Sequence, residues 1–486
     1  MLEMLKVIKT KRFVRVTVCL FGVLISLIPI IGSLIRGEID CDSAYYICQA
    51  QLCAKGFVPY VDFSDGYTPL WTYLAAGLKL LFHVPDGCYV FYLAIHYLLA
   101  ICVAFFIYKI AELWGASRMM SFLGACMFMV MSHWLEGNVV LLEIPSLCFG
   151  MMSVWLTFSY QNKIYWNYVW IGILTACSFL CKQFGIGFLL LNLYLIVFVN
   201  RQTWKECLCL MAGFVLPIAL CFVCWGERFI PIVISGYGTE SAAAVGYDVS
   251  FMAKMKSVLG HTWYFLYMVC PAIIVSLFFI PFANCHRQFG KMLFCYFGIL
   301  VFALQYYFAV GGFHYMLYMV PFAVLLMIIM MTMKSGKLLR LIGFGSVFLV
   351  ILVSVYKTSY NRVYKLYINR NIREEQIAIT KEVKPYLREG NMWIAHGGLN
   401  YLYLTTGMLP PNLSTIGYSF GPLGLDEEKA FTQAMSADFV IRFSADYPYE
   451  ACFTDSLKHY IERYQAVALQ DSAILVHDMH KPLFTE

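Results

Sequence analysis

Runs of about twenty apolar residues recur along this chain, broken by short polar stretches, until about residue 357. Beyond that point the pattern changes to the mixed apolar and charged positions of an ordinary soluble fold. A helix that crosses a bilayer needs about 20 apolar residues. The runs at 13–35, 88–110, 119–135, 139–160, 165–181, 185–199, 207–225, 261–282, 292–310, 313–333 and 338–356 each predict such a span. Segment 69–84, PLWTYLAAGLKLLFHV, is short and carries Lys79. If it crossed, every later basic loop would change sides. If it lies flat as a juxtamembrane helix, Lys109/Arg118, Lys163, Arg201/Lys205, Arg287/Lys291 and Lys334/Lys337/Arg340 all fall on the cytoplasmic side, as the positive-inside rule prefers.

This threading predicts a polytopic α-helical membrane protein with about eleven transmembrane helices plus juxtamembrane helices. Its N-terminus is cytoplasmic and its C-terminal domain extracytoplasmic. The expected division is a membrane domain over 1–357 and a small α/β domain over 358–486. The first run is too long for a secretory signal and lacks a small-residue cleavage site, so it reads as an uncleaved span. In the C-terminal part, NRNIREEQIAITKEVKPYL predicts an exposed helix. NMWIAHGG, ADFVIRFS and AILVHDM predict strands, and NYLYLTTG and DSLKHYIERY predict helices between them.

Composition agrees with the pattern. Of 486 residues, 61% are hydrophobic and 13% charged, and the mean hydropathy of +0.69 places the chain far outside soluble domains. The net charge of +6 matches basic cytoplasmic loops and does not point to nucleic acid. Most of the 18 cysteines sit inside apolar runs, where cysteine acts as a small hydrophobe, and they show no metal spacing. Cys41, Cys48 and Cys53 share the first outer loop, an odd number with no evident pairing.

Against this apolar background the stretch EIDCDSAYY, 38–46, places three carboxylates within five positions. Local signals give a helix over 43–55 with Asp42 as its N-cap and Gly56 as its stop. Capping explains one carboxylate only. If Asp40 and Asp42 face one pocket, their repulsion lifts one pKa toward the range of a general base. The threading brings further polar groups to the outer face: Asp62 and Asp65 in the first loop, Glu136 and Glu143 after the third span, Lys182 between the fifth and sixth, and His314 before a late span. Bringing such groups to the lip of a lipid-facing bundle is costly unless they pair or serve a site, since an intramembrane charge costs roughly 2.5–3.5 kcal/mol.

From Asp42 the text DSAYYICQAQLCAKGFVPYVDFSDGYTPLWTYLAA resembles the first outer loop of the GT-C membrane glycosyltransferases, in the bacterial branch related to lipid A aminoarabinose transferases and protein O-mannosyltransferases. EGNVVLLEIPSLCFG is similar to that family's second acidic element, LCKQFGIG to its Lys-Gln pair at an outer helix end, and GGFHYMLYMVP to its His-Tyr turn. YLYLTTGMLPP, 401–411, resembles part of its outer domain. GGFHY departs from the closest members in lacking the arginine often found just before the histidine.

The resemblance implies an enzyme of the cytoplasmic (inner) membrane. It would move a hexosyl or pentosyl group, with inversion, from a polyprenyl-phosphate donor to a lipid, glycan or protein acceptor outside the cytoplasm. Asp42 is the first choice of catalytic base, with Asp40 its rival. Glu143 has several roles open: orienting the acceptor, sharing the proton, holding a divalent cation with the aspartates, or capping its helix. Lys182 is the expected phosphate partner, against a snorkelling anchor, and His314 is a second phosphate or sugar ligand, against a structural histidine. Tyr45, Tyr46 and Tyr60 are candidates to stack on sugar, or members of an interfacial belt with Tyr67 and Trp71. Asp62 and Asp65 either bind substrate or build the turn at Gly66.

Two other classes use such a scaffold. A polysaccharide polymerase or ligase works from arginine-rich outer loops, whereas the first loop here is acidic. A lipid-linked sugar transporter or flippase carries charge at mid-span and interrupted helices in paired repeats. Here Glu143 and Lys182 fall at span ends, and no inverted repeat is evident.

Overall fold

The computed structural model describes residues 38–63, 66–135, 137, 139–160, 164–235, 270–280, 286–309, 313–333, 371–394, 399–411, 420–421, 424–425, 432, 434–443, 455–469 and 474–483, with individual residues between 16 and 34 and between 341 and 356. The membrane part begins with α1 (Cys41–Ala54) and α2 (Leu70–Leu81), followed by α3 (Tyr89–Leu113), α4 (Arg118–Trp134), α5 (Glu143–Ser159) and α6 (Tyr165–Cys181). A 3-10 turn (Gln183–Ile186) enters α7 (Gly187–Tyr194), which ends in a π turn (Leu195–Val199). Then come α8 (Trp204–Trp225), α9 (Phe229–Ser235), α10 (Cys270–Leu277), α11 (His286–Ala309) and, after the 3-10 turn Phe313–Met319, α12 (Val320–Thr332).

Among the described residues four helices are long and apolar enough to cross a membrane: Tyr89–Leu113, Trp204–Val233, Gln288–Tyr306 and His314–Thr332. Tyr165–Cys181 and Gln183–Val199 are shorter apolar helices. Of the eleven expected spans, 13–35, 261–282 and 338–356, and the last residue of 292–310, lie wholly or partly outside the described residues. Helix α2 has 12 residues and so rises about 18 Å, too little for a roughly 30 Å core.

Small residues and buried hydroxyls hold the helices together, as expected where lipid offers no hydrophobic drive between them. A Cβ on Gly172 of α6 would lie 2.1 Å from the Leu210 carbonyl oxygen of α8, and one on Gly213 would lie 2.1 Å from that of Val169. The two backbones can approach only because both positions are glycine. Asn192 of α7 accepts from Thr157 Oγ1 (2.8 Å) and donates to Ser153 Oγ (2.9 Å) and Thr175 Oγ1 (3.0 Å), tying α7 to α5 and α6.

The C-terminal part comprises α13 (Asn371–Val383), β1 (Met392–Ile394), α14 (Tyr401–Thr406), the short antiparallel pair β2 (Phe420–Gly421) and β3 (Gly424–Leu425), β4 (Phe439–Phe443), α15 (Asp455–Ile461), β5 (Tyr464–Ala468) and β6 (Ile474–Pro482). The main sheet has the order β1-β4-β6-β5, with β1 parallel to β4 and the other pairs antiparallel. Strand alternation gives it two buried faces. Trp393 and Val440 pack on Leu457 and Ile461 of α15, while Met392, Ile394, Phe439, Ile441 and Val476 join the core that continues into the membrane part. Gln376 of α13 accepts from the Ile39 N–H (3.1 Å) and donates to the Ile39 carbonyl (3.0 Å), fastening this domain to the entrance of α1.

Candidate active site

Helix α1 starts two residues earlier than expected, because Asp40 rather than Asp42 is its cap. The Asp40 carboxylate accepts from the Asp42 N–H at 3.1 Å. A carboxylate there satisfies an otherwise orphaned N–H and meets the positive end of the helix dipole. Asp42 is thereby released from capping and stands in the first turn, partly exposed. Gly56 ends the helix at φ +96°, a conformation that a side chain would strain. Cys41, Cys48 and Cys53 are not joined in a disulfide.

The segment before Glu143 is clamped from two sides. Ser43 Oγ accepts from the Val140 N–H (2.9 Å), and His96 accepts from the Leu141 N–H at Nδ1 (3.4 Å) while its Nε2 lies 3.2 Å from the Gly137 carbonyl. One residue after Asp42, therefore, α1 is already bonded to the approach to α5. Helices α5 and α6 are joined by a reciprocal pair: Ser146 Oγ donates to the Ser178 carbonyl (2.9 Å) and Ser178 Oγ to that of Ser146 (2.7 Å). Ser146 lies one turn after Glu143 and Ser178 one turn before Lys182, so these bonds set the two charged side chains opposite each other.

The Lys182 ammonium lies 2.9 Å from Glu143 Oε1, and both side chains are buried, at 2% and 0% exposure. His314 Nε2 approaches the same oxygen at 3.8 Å. The rings of Tyr67 and Tyr315 each stand 4.6 Å from the ammonium, and Phe184 stacks on Tyr315 at 4.7 Å. The Tyr315 side chain is also a hydrogen-bond partner of Lys182, so the ammonium is held by Glu143 and Tyr315 together. Burying ionic groups is costly, and such groups cluster at functional sites.

Asp42 belongs to the same neighbourhood. Its charge acts on Tyr46, Tyr67 and Tyr315, which also feel Glu143 or Lys182. Tyr45, Tyr46 and Tyr67 form an edge-to-face cluster with centroids 5.4–6.0 Å apart, and the Gly66 N–H donates to the Tyr45 hydroxyl. Burial, reinforced by neighbours including Asp42, holds the Tyr46 hydroxyl well above the usual phenol range. Burial does the same to Tyr67, partly offset by Lys182. Both remain neutral hydrogen-bond donors near pH 7.

Other candidates stand elsewhere. Tyr60 packs against Trp225 and Phe229 of the α8–α9 corner, and only its hydroxyl reaches toward the site, donating to the Tyr67 carbonyl. Asp62 is exposed and accepts from the Val58 N–H at 2.7 Å, closing a turn. Asp65 and Glu136 lie outside the described residues. Trp71 is a buried core residue rather than part of a belt. Tyr315 was not singled out by sequence reasoning; its position beside His314 in GGFHY was the available signal.

The donor set does not suit a divalent cation at Glu143. Its carboxylate already faces an ammonium, Asp40 caps a helix, and no group of three His, Cys, Asp or Glu side chains able to hold a metal occurs among the described residues.

No family model matches the chain, and no curated protein matches it. Among solved structures, the oligosaccharyltransferase of Archaeoglobus fulgidus, crystallised with an acceptor peptide containing the NVT sequon tethered by a disulfide bond, superposes with a TM-score of 0.50 at 11% identity. The match covers 87% of this chain and 69% of that one. The chain thus shares its overall fold with that oligosaccharyltransferase. At this identity the likeness speaks for the fold alone, and the chemistry must come from the site.

Proposed function

We propose that this chain is an inverting membrane glycosyltransferase that moves a sugar from a polyprenyl-phosphate donor to an acceptor hydroxyl at the extracytoplasmic face of the cytoplasmic membrane. One observation carries the reading. A carboxylate released from capping, Asp42, shares a tyrosine-lined site with a buried ammonium, Lys182, which Glu143 holds charged. The fold shared with an oligosaccharyltransferase supports it.

In this reading Asp42 takes the proton of the acceptor hydroxyl as its oxygen bonds to the anomeric carbon. The bond from that carbon to the phosphate oxygen breaks on the opposite face, and its electron pair leaves on the phosphate. Single displacement inverts the anomeric centre. The departing phosphate is a stable anion and needs no proton, so the site must supply a base and a cation. Lys182 is that cation, held charged by Glu143 and aimed by the two tyrosine faces; His314 stands beside it as a further hydrogen-bond donor. Lipid, glycan and protein acceptors all present a suitable hydroxyl.

Reconstitution in liposomes with radiolabelled polyprenyl-phosphate sugars tests the reading. Transfer with inverted anomeric configuration is expected. Flipping of the lipid-linked sugar across the bilayer without transfer would instead identify a transporter, and retention at the anomeric carbon would rule out single displacement.

A further inference from the structure

Two aspartates compete for one place at the start of α1. Aspartate is among the best N-cap residues, and Asp40 and Asp42 are each correctly placed to begin this helix. With Asp40 as the cap, α1 gains residues 41 and 42, a cysteine and an aspartate. Both are weak helix formers, so the longer helix has little intrinsic advantage, and local energetics barely separate the two starts. Their chemistry differs. A carboxylate that accepts from the first N–H groups of a helix is held ionised and makes a poor base.

Contacts from the C-terminal domain decide between the starts. Gln376 of α13, 337 residues away in sequence, accepts from the Ile39 N–H at 3.1 Å and donates to the Ile39 carbonyl at 3.0 Å. One amide thus grips both edges of the backbone just before Asp40. On the other side of Asp40, the buried Asn400 at the entrance of α14 donates to Cys41 Sγ at 3.9 Å. Thr380 and Thr405 bond at 3.0 Å and join α13 to α14, so the two ties belong to one rigid piece. Between them, Asp40 accepts from the Asp42 N–H at its side chain (3.1 Å) and from the Ala44 N–H at its carbonyl (2.9 Å). A start at Asp42 would break both of these bonds and shift the backbone that the ties hold.

We propose that Gln376 is a positioning residue for the transfer: by gripping Ile39 it selects Asp40 as the cap of α1 and so keeps Asp42 as the base. Two hydrogen bonds of ordinary net strength bias such an equilibrium roughly 5–150-fold. The C-terminal domain thereby takes part in catalysis through the backbone of residue 39. The positioning role rests on the reading of Asp42 as the base; selection of the cap by Gln376 does not.

Gln376→Leu keeps the bulk of the side chain and removes both bonds, and the site is half-buried, so the variant is expected to fold. In liposomes with radiolabelled polyprenyl-phosphate sugar and acceptor, kcat of the full-length variant should fall roughly 5–150-fold, with the donor KM unchanged. Because capping competes with protonation of Asp42, the acid limb of the kcat profile should move down by about one pH unit for each tenfold loss. The two profiles should merge in acid. Tyr46, Tyr67 and Tyr315, on which the Asp42 charge acts, and the neighbouring Asp40 are present in both proteins, so the difference belongs to the cap. Hydrogen exchange resolved to single amides gives a readout independent of activity: the Asp42 N–H should exchange faster in Gln376→Leu. Tyr403→Phe loses the bond from the Ile394 N–H (3.0 Å) inside the same domain and should leave kcat, acid limb and Asp42 exchange as in wild type. Unchanged kcat or Asp42 exchange in Gln376→Leu, a loss without the acid shift, or an equal loss in Tyr403→Phe overturns the proposal. Absence of transfer by wild type would refute the glycosyltransfer reading, and Asp42 exchange would then decide alone whether Gln376 selects the cap.

Discussion

Glu143 opens α5 and Lys182 caps the end of α6, and their charged atoms meet at 2.9 Å in a place where neither is reached by solvent. Removing one partner from a buried ion pair leaves the other uncompensated, at a cost of roughly 3–5 kcal/mol, whereas replacing both is far cheaper. Glu143→Gln and Lys182→Met are each expected to lower the unfolding temperature sharply. The double variant should recover most of the loss. Donor affinity separates structure from function: it should be retained or improved in Glu143→Gln, which frees the ammonium, and lost in both variants without Lys182. Equal donor binding in all four proteins would leave the pair a purely structural bond.

The tyrosine faces around Lys182 make a finer prediction. A cation over an aromatic face is worth about 0.5–2 kcal/mol, so Tyr67→Ala should raise the donor KM roughly 2–30-fold. Tyr67→Phe keeps the ring and should stay close to wild type. Steady-state kinetics on the two variants checks this, and an equally large effect in Tyr67→Phe would transfer the role to the hydroxyl.

The contact between α6 and α8 depends on two glycines. Gly172→Val would drive a side chain into the Leu210 carbonyl, and overpacking of this kind costs typically 1–3 kcal/mol or more. Reduced thermal stability and faster hydrogen exchange in 165–225 are expected, with a milder effect for Gly172→Ala.

Acid should weaken the C-terminal domain through His477. This side chain is buried in β6, and burial together with the Arg442 charge, whose Nε donates to His477 Nε2 at 3.1 Å, lowers its pKa to about 4. The unfolded chain, near 6.5, binds the proton first, so stability is intact above about pH 6.5 and falls as pH drops toward 4. The loss is about 2 kcal/mol at pH 5 and about 3 kcal/mol once complete. Thermal unfolding of wild type and His477→Gln between pH 7.5 and 4.5 measures it; the variant should show a flatter profile.

Much of the fold could be read from the chain. Period and run length located the helices because burial in lipid imposes an apolar run, and 69–84 declared itself too short and too charged to cross. The C-terminal strands at 392–394, 439–443 and 474–482 followed from local character, but YQAVA, 464–468, is half exposed at the edge of the sheet and gives a weak signal. For the site, span ends brought Glu143, Lys182 and His314 into one region by threading alone. What stayed hidden depends on contacts between distant segments. The choice of Asp40 over Asp42 as cap, the departure of Tyr60 toward Trp225, the ring of Tyr315 over Lys182 and the Gln376–Ile39 bolt are each fixed by partners that no local pattern names.

Asp42 is the base in the proposed transfer, and Asp42→Asn keeps the shape of the side chain while abolishing its ability to take a proton. In liposomes supplied with polyprenyl-phosphate sugar and acceptor, the variant should bind donor with wild-type affinity and lose transfer by a factor of roughly 10²–10⁴, the usual range for removal of a general base. Turnover unchanged from wild type would contradict the account.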